Sequence, residues 1–370
     1  MWNGAISSRV RGPLVAVLEA FVLSRVVVVA VTVVMALIRH MSPARMWSGW
    51  DGAWYLGIAA HGFHWSLHGK PAVAFFPLYP ALVHLVSRSG LSPLVAAVTL
   101  SNLAFLAALL YVYALSRARW GETAARRALV LFALFPTAFF TFAPYSEALF
   151  LLAAAGSIYH ARRDEAWMAG WWLAIAVLTR PTGIILIVPV LMSLRPPRLE
   201  RWLQAVLPTL VGWSLYLLYL QSQHIPLNSL FQAQRAWHRA FSFPWTGFTA
   251  SLRWLALHGA ANLPWALENM LQLATTVAFL ALTVVAWKQL SRDVRVYVAG
   301  FWLLALCSTA WLNAYYAPFS SMDRFVLALF PLAGWAATRL HDSAFHRVLV
   351  ASGALLAVAI AVQLGGGWVG

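Results

Sequence analysis

Apolar residues along this chain run in blocks rather than in alternation, at about 14–38, 93–115, 128–143, 147–160, 166–179, 182–194, 202–220, 266–287, 296–312, 324–340 and 346–363. Blocks without a period of two predict helices that are apolar around most of their circumference. About eleven of them predict an all-α, polytopic membrane bundle, since a lone spanning helix needs roughly 20 apolar residues to cross ~30 Å of hydrocarbon. The shorter blocks are expected to tilt, to extend into flanking residues or to pair as half-spans. The stretch 76–88, with Pro77 and Pro80 at its start and Arg88 at its end, predicts a helix lying along the interface.

Two long segments interrupt the blocks, about 39–92 and about 221–265, both rich in Trp, His, Pro and Gly. Loops of this length commonly carry function, although interfacial anchoring accounts for part of their Trp content. No internal repeat or low-complexity linker divides the chain, so residues 1–370 are expected to form one membrane domain. The apolar stretch from Pro13 to Ile38 is too long for a signal-peptide core and long enough to span.

Composition sharpens this picture: 62% of residues are hydrophobic and 10% charged, which excludes a soluble enzyme, a disordered chain and a disulfide scaffold. The lone Cys307 offers no cysteine framework. The net charge of +15 is explained first by basic residues kept on the cytoplasmic side, so nucleic acid is not an expected partner. With the N-terminus inside, the inner segments hold sixteen Lys and Arg and the longer outer ones nine. That asymmetry predicts that 39–92 and 221–265 are extracytoplasmic loops of a plasma-membrane protein.

Four acids then fall at the outer face: Asp51, Glu147, Glu268 and Asp323. The densest stretch runs from Trp47 through Trp50, Asp51, Trp54 and Tyr55 to His61 and Gly62, and predicts a short helix ended by Gly62 with Asp51 at its start. Asp51 reads either as an N-cap or as a carboxylate placed to take a proton from a hydroxyl. His61, His64 and His68 match no zinc spacing, so no metal is expected. Glu147, after Ser146 in an outer turn, reads as a helix start or as a partner of a nearby Arg.

Arg180 interrupts an apolar stretch of nearly thirty residues just before Pro181, and a guanidinium there is costly unless it meets an anion or a wet cavity. Arg235, His238 and Arg239 are expected on one helical face, solvated or ligand-binding, and Arg324 at the outer interface. Ser320 and Asp323 have the spacing of a capping box, which counts against catalysis by Asp323.

Taken in order, Trp50-Asp51 with Tyr55 and Gly62, Phe75 to Pro80, Ala143 to Phe150, Leu178 to Gly183, Phe231 to Trp237 and Arg324-Phe325 to Pro331 resemble the PIG-V family. That family contains the second mannosyltransferase of glycosylphosphatidylinositol assembly and its prokaryotic relatives. The resemblance spans about residues 47–331, with Phe63 standing where many members have Tyr. It implies a GT-C-like fold and an integral-membrane glycosyltransferase that takes mannose from a polyprenyl- or dolichyl-phosphate carrier and inverts the anomeric centre. The acceptor would be an extracytoplasmic lipid or glycan.

On that basis Asp51 is the expected base, and Arg180, Arg324, Arg235 and Arg239 are candidates for the carrier phosphate. Glu147 would orient the acceptor or an Arg, while Trp50, Trp54, Tyr55 and Trp237 would wall the sugar, with His61 nearby. The chain contains no Asp-X-Asp pair, so a metal-independent reaction without cofactor is expected. The rivals are a transporter or flippase of a lipid-linked sugar and an inactive assembly partner. Transporters usually show repeated halves and midplane sites, neither of which is visible here.

Overall fold

The computed structural model describes the whole chain except Met1, Trp65, His68, Gly69, His238, Asn313, Ala314, Ala317 and Gly370. Along it run α1 (Trp2–Arg39), α2 (Pro43–Trp47), α3 (Asp51–His61), α4 (Leu78–Ser87), α5 (Pro93–Trp120), α6 (Glu122–Ala133), α7 (Glu147–Arg162), α8 (Ala166–Thr179) and α9 (Ile187–Ser193). They are followed by α10 (Leu199–Ser222), α11 (Ser229–Ala236), α12 (Thr246–His258), α13 (Leu263–Ala286), α14 (Arg292–Cys307), α15 (Met322–Phe325), α16 (Pro331–Ala337) and α17 (Asp342–Leu364). Two short antiparallel pairings, β1 (Ser66–Leu67) with β2 (Lys70–Pro71) and β3 (Arg239–Phe241) with β4 (Ser308–Leu312), lie in or reach the two long loops.

The fold is an all-α membrane bundle, as the blocks predict, although not every block is one long helix. Among the described residues five helices are long and apolar enough to cross: Gly12–Arg39, Pro93–Trp120, Leu199–Ser222, Leu263–Gln289 and Asp342–Leu364. The other blocks are short or broken. The block 128–143 stops being helical at Ala133, three residues before Pro136. The block 324–340 is a 3-10 turn over Val326–Leu329 that hands on to α16 at Pro331, where a proline suits a first helical turn. The block 296–312 leaves its helix at Cys307 and becomes the strand that pairs with Arg239–Phe241.

Exposure is inverted relative to a soluble protein. On α1, Leu18, Val22, Val26, Val29 and Val33 point outward, as expected of a helix in lipid, while Ala16, Ala20, Ser24, Val28 and Thr32 are buried. This stripe of mostly small side chains, spaced four residues apart, lets neighbouring helices approach closely. By contrast, α7 is buried on nearly all sides between α5 and α8, so its 16 residues need not match the bilayer by themselves.

Arg25, inside α1, solves its own desolvation without a carboxylate. Its Nε donates to Asn102 Oδ1 at 2.7 Å, and its other nitrogens donate to Ser24 Oγ and to Thr141 Oγ1 and carbonyl oxygen. Phe21 and Phe105 flank the guanidinium at 4.7 and 4.5 Å. It thereby ties α1 to α5 and to the 3-10 turn Ala138–Thr141 that precedes Glu147.

Polar contacts sort to the two ends of the long helices. Near the start of α1, Gly12 meets Arg126, while Arg127 meets Asp342, Arg162 meets Asp293 and Arg119 meets Gln289. Its far end, Arg39, reaches Gly365 beyond the last turn of α17. Twenty-eight helical residues, roughly 42 Å, separate Gly12 from Arg39.

Candidate active site

The start of α3 is unusual backbone. Trp50 occupies the cap position at φ 54°, ψ −135°, so Asp51 is the first helical residue and not the N-cap. Gly52 lies against the turn before α7: a Cβ there would stand 2.9 Å from Pro144 Cγ and 3.2 Å from the Trp47 carbonyl oxygen. Only glycine allows α3 to sit this close, and that closeness aims Asp51 at the same turn. Gly62, at φ 76°, ends the helix as expected.

The carboxylate of Asp51 does not cap. Its Oδ2 accepts from Arg324 Nη1 at 2.6 Å. Arg324 also donates through Nε to Glu147 Oε1, and Arg180 Nη1 donates to the same oxygen. Arg180 reaches it because the chain is extended between α8 and the 3-10 turn that begins at Pro181. Phe140 and Tyr145 lie 4.8 and 4.9 Å from the Arg324 guanidinium, and Phe325 lies 5.5 Å from that of Arg180. Glu147 is 4% exposed, so its charge would be prohibitive without these two partners. Ser146 leaves the helix uncapped; its hydroxyl bonds the Tyr55 hydroxyl at 2.7 Å, and burial pushes that phenol up to about 12, keeping it neutral.

Arg324 was expected at the outer interface; it is instead buried at 4% exposure and bridges two acids. Its partners stand 273 and 177 residues away in sequence, and only the tertiary fold brings them together. The Ser320–Asp323 capping box does not form either. Ser321 holds the cap position, and the Asp323 amide donates to Gln272.

These groups form the polar end of a cavity of about 600 Å³, lined by Glu147, Arg180, Arg239, Arg324 and Gln234 and otherwise mainly by apolar side chains such as Phe150, Leu151, Trp213, Leu217, Phe301 and Leu304. Arg239 reaches it because β3 pairs with β4, Arg239 opposite Ala310. Among the described residues Arg239 makes no ion pair. Its side chain is exposed, and the surrounding protein still lowers its proton affinity by desolvation, against the pull of Asp51, with Arg180 and Arg324 lowering it further.

Two carboxylates thus face three guanidiniums, and the balance calls for an anion. An amphiphile with an anionic head suits both ends of the cavity. Asp51 does not line it; the carboxylate sits behind Arg324, with its side chain 23% exposed.

The remaining predicted residues are placed differently from expectation. Helix α11 ends at Ala236, so Arg235 and Arg239 do not share a helical face; Arg235 is exposed and outside the cavity lining, and His238 lies outside the described residues. Trp54 and Tyr55 do not wall the cavity. They are buried against Phe75 and Tyr79, with Trp237 edge-on to both Trp54 and Phe75. Trp50 is 45% exposed and packs on Trp368, away from the lining. His61 is exposed at the far end of α3, and His68 lies outside the described residues. No three His, Cys, Asp or Glu side chains gather among the described residues. Phe140, Tyr145 and Gln234 are parts of the site that sequence did not single out, since nothing local marks a ring that will pack on a distant guanidinium.

No curated protein matches the chain. The crystal structure of ArnT from Cupriavidus metallidurans bound to undecaprenyl phosphate is similar at 16% identity and a TM-score of 0.54, covering 87% of this chain and 62% of that one. The apo state of ArnT is similar at 18% identity and a TM-score of 0.52, with the same coverage. This chain therefore spans less than two thirds of the length of those neighbours, and at such identity the likeness is one of fold. The model of the family described as Mannosyltransferase (PIG-V) matches residues 15–195, which include Asp51, Glu147 and Arg180. Residues 15–195 of this chain accordingly carry the sequence pattern of the PIG-V mannosyltransferase family, within a GT-C-like helical membrane fold.

Proposed function

We propose that this protein is a membrane glycosyltransferase that moves a sugar, mannose by its family match, from a polyprenyl-phosphate carrier to the hydroxyl of a lipid or glycan acceptor. The observation that carries it is Arg239, which makes no ion pair among the described residues, beside Arg180 and Arg324 in the lining of a largely apolar cavity. That cavity offers an isoprenoid chain apolar walls and offers its phosphate guanidinium donors. The ArnT neighbour, crystallised with undecaprenyl phosphate, makes a lipid phosphate a natural ligand for the likeness.

In the proposed reaction an acceptor hydroxyl attacks the anomeric carbon with inversion. Its proton passes to Asp51, and the carbon–oxygen bond to phosphate breaks with its electron pair going to phosphate. Arg180, Arg239 and Arg324 would stabilise the charge that develops there. Glu147 holds Arg180 and Arg324 in place. These three cations let the scheme run without a metal ion or cofactor. Orientation follows from charge: the end with Arg117, Arg126, Arg162 and Arg195 is the cytoplasmic one, which leaves Asp51 on the extracytoplasmic face of the plasma membrane.

The test is purified protein in lipid nanodiscs given polyprenyl-phosphate-mannose and a panel of acceptors. Release of polyprenyl phosphate with mannosylated acceptor is the expected result. Intact donor carried between leaflets of a proteoliposome, with no release, would instead establish a flippase.

A further inference from the structure

Arg324 belongs to both halves of the proposed reaction. It lines the lipid-phosphate cavity, and it holds Asp51, which lies outside that lining. Nε is committed to Glu147 and Nη1 to Asp51, while Nη2 makes no hydrogen bond to protein among the described residues. Glu147 is the fixed point of the group, buried and bound to Arg180 as well.

We propose that the lipid phosphate and the Asp51 carboxylate compete for Arg324, so that a filled phosphate site loosens the hold on Asp51 and makes it a better proton acceptor only when donor is in place. This coupling rests on the donor assignment above. A guanidinium at this depth has one positive charge to share, and in a low-dielectric site an anion at Nη2 weakens the attraction felt at Nη1. Glu147 keeps Nε anchored, so Arg324 can lean toward phosphate without leaving the site.

The coupling grows during transfer. As the bond between the anomeric carbon and the phosphate oxygen breaks, phosphate takes the electron pair and goes from one negative charge to two. It then draws Arg324 harder at the moment when the acceptor oxygen bonds to the anomeric carbon and its proton moves to Asp51. Base strength and leaving-group departure are thereby synchronised through one side chain. Among the described residues, the other charged or titratable groups facing Asp51 are Tyr145 and Arg239, with Glu147 and Arg180 beyond Arg324.

Linkage makes the effect reciprocal: if phosphate frees Asp51, removing the charge of Asp51 must favour phosphate. The probe is undecaprenyl phosphate, its affinity measured in nanodiscs at pH 8 for the parent, Asp51→Asn, Arg324→Gln and the double variant. Asp51→Asn is expected to bind about 10-fold tighter than the parent. In the Arg324→Gln background the same change should gain less than about 2-fold, because the shared guanidinium is gone.

Should Arg324→Gln fail to fold, Asp51→Ala supplies a second measurement. It also ends the carboxylate's claim on Arg324, so it should bind undecaprenyl phosphate about 10-fold tighter than the parent. A parent that does not bind undecaprenyl phosphate sinks the donor assignment itself. Binding by the parent with no gain in Asp51→Asn or Asp51→Ala, or a gain undiminished in Arg324→Gln, overturns the coupling alone.

Discussion

Arg324 Nη1 stands 2.6 Å from Asp51 Oδ2, across 273 residues of sequence, and this contact fixes which way the proposed base faces. Because Trp50 rather than Asp51 occupies the cap of α3, the carboxylate is not needed to start the helix. Asp51→Asn should therefore fold like the parent, since an amide oxygen still accepts from Arg324, while losing on the order of 10²-fold in transfer rate. Rates in the purified variant, beside its unfolding temperature, check both halves. A folded variant with parental turnover would remove Asp51 from the chemistry.

Arg324 and Arg180 should differ in the direction their burial dictates. Arg324→Ala strips partners from both Asp51 and Glu147, and breaking a buried pair typically costs about 3–5 kcal/mol. Arg180→Ala leaves Arg324 on Glu147 and opens onto the cavity, where water can replace it, so about 2 kcal/mol is expected. Thermal unfolding in nanodiscs should rank parent, Arg180→Ala, Arg324→Ala from most to least stable. Arg180→Lys should fold better than Arg180→Ala yet use donor less well than the parent, having lost the planar fork.

Some of this site is legible in the chain because its signals are local. Gly62 announces the end of α3, and Arg180 stands out because nothing near it in sequence is charged. The depth of Arg324 is not legible, since the acids that permit it are contributed by α3 and α7. For the same reason the aromatic residues after Asp51 look alike in sequence, whereas Trp54 and Tyr55 turn inward and Trp50 outward. Arg239 and Arg235 differ because the helix stops between them and a strand from after α14 claims the rest. The same limit applies to the span count: an apolar run shows that a segment is buried from water, but Pro136 and Pro331 decide where its helix breaks.

Orientation is open to labelling. Arg235 and Lys288 are both exposed, on α11 and just beyond α13. With Cys307→Ser as background, a membrane-impermeant maleimide on intact cells should label Arg235→Cys and spare Lys288→Cys until the cells are lysed. The opposite pattern would invert the assignment and put Asp51 on the cytoplasmic face.

Arg25 should matter to folding and not to donor recognition. Arg25→Leu removes the donors to Asn102 and Thr141 and leaves buried acceptors unmatched, at about 1–3 kcal/mol for each group left unsatisfied. A lowered unfolding temperature with parental affinity for undecaprenyl phosphate is the expected pair of results. Weakened lipid binding at unchanged stability would give Arg25 a place in the site instead.

Gly52 offers the most selective test of geometry, because it touches no proposed substrate group. An alanine Cβ would stand 2.9 Å from Pro144 Cγ and 3.2 Å from the Trp47 carbonyl oxygen, and neither neighbour is the free end of a flexible chain. The start of α3 must therefore move away from the Pro144–Glu147 turn, at about 1–3 kcal/mol of overpacking. Asp51 moves with it, while Arg180 and Arg239, carried by other elements, stay where they are. Gly52→Ala should accordingly bind undecaprenyl phosphate at least as tightly as the parent, since Asp51 then holds Arg324 less firmly, and transfer sugar about 10²-fold more slowly, the loss that a misplacement of ~1 Å can cause. Equal losses in binding and transfer would mean that the turn itself collapses. Parental transfer would mean that the position of Asp51 is not set by this contact.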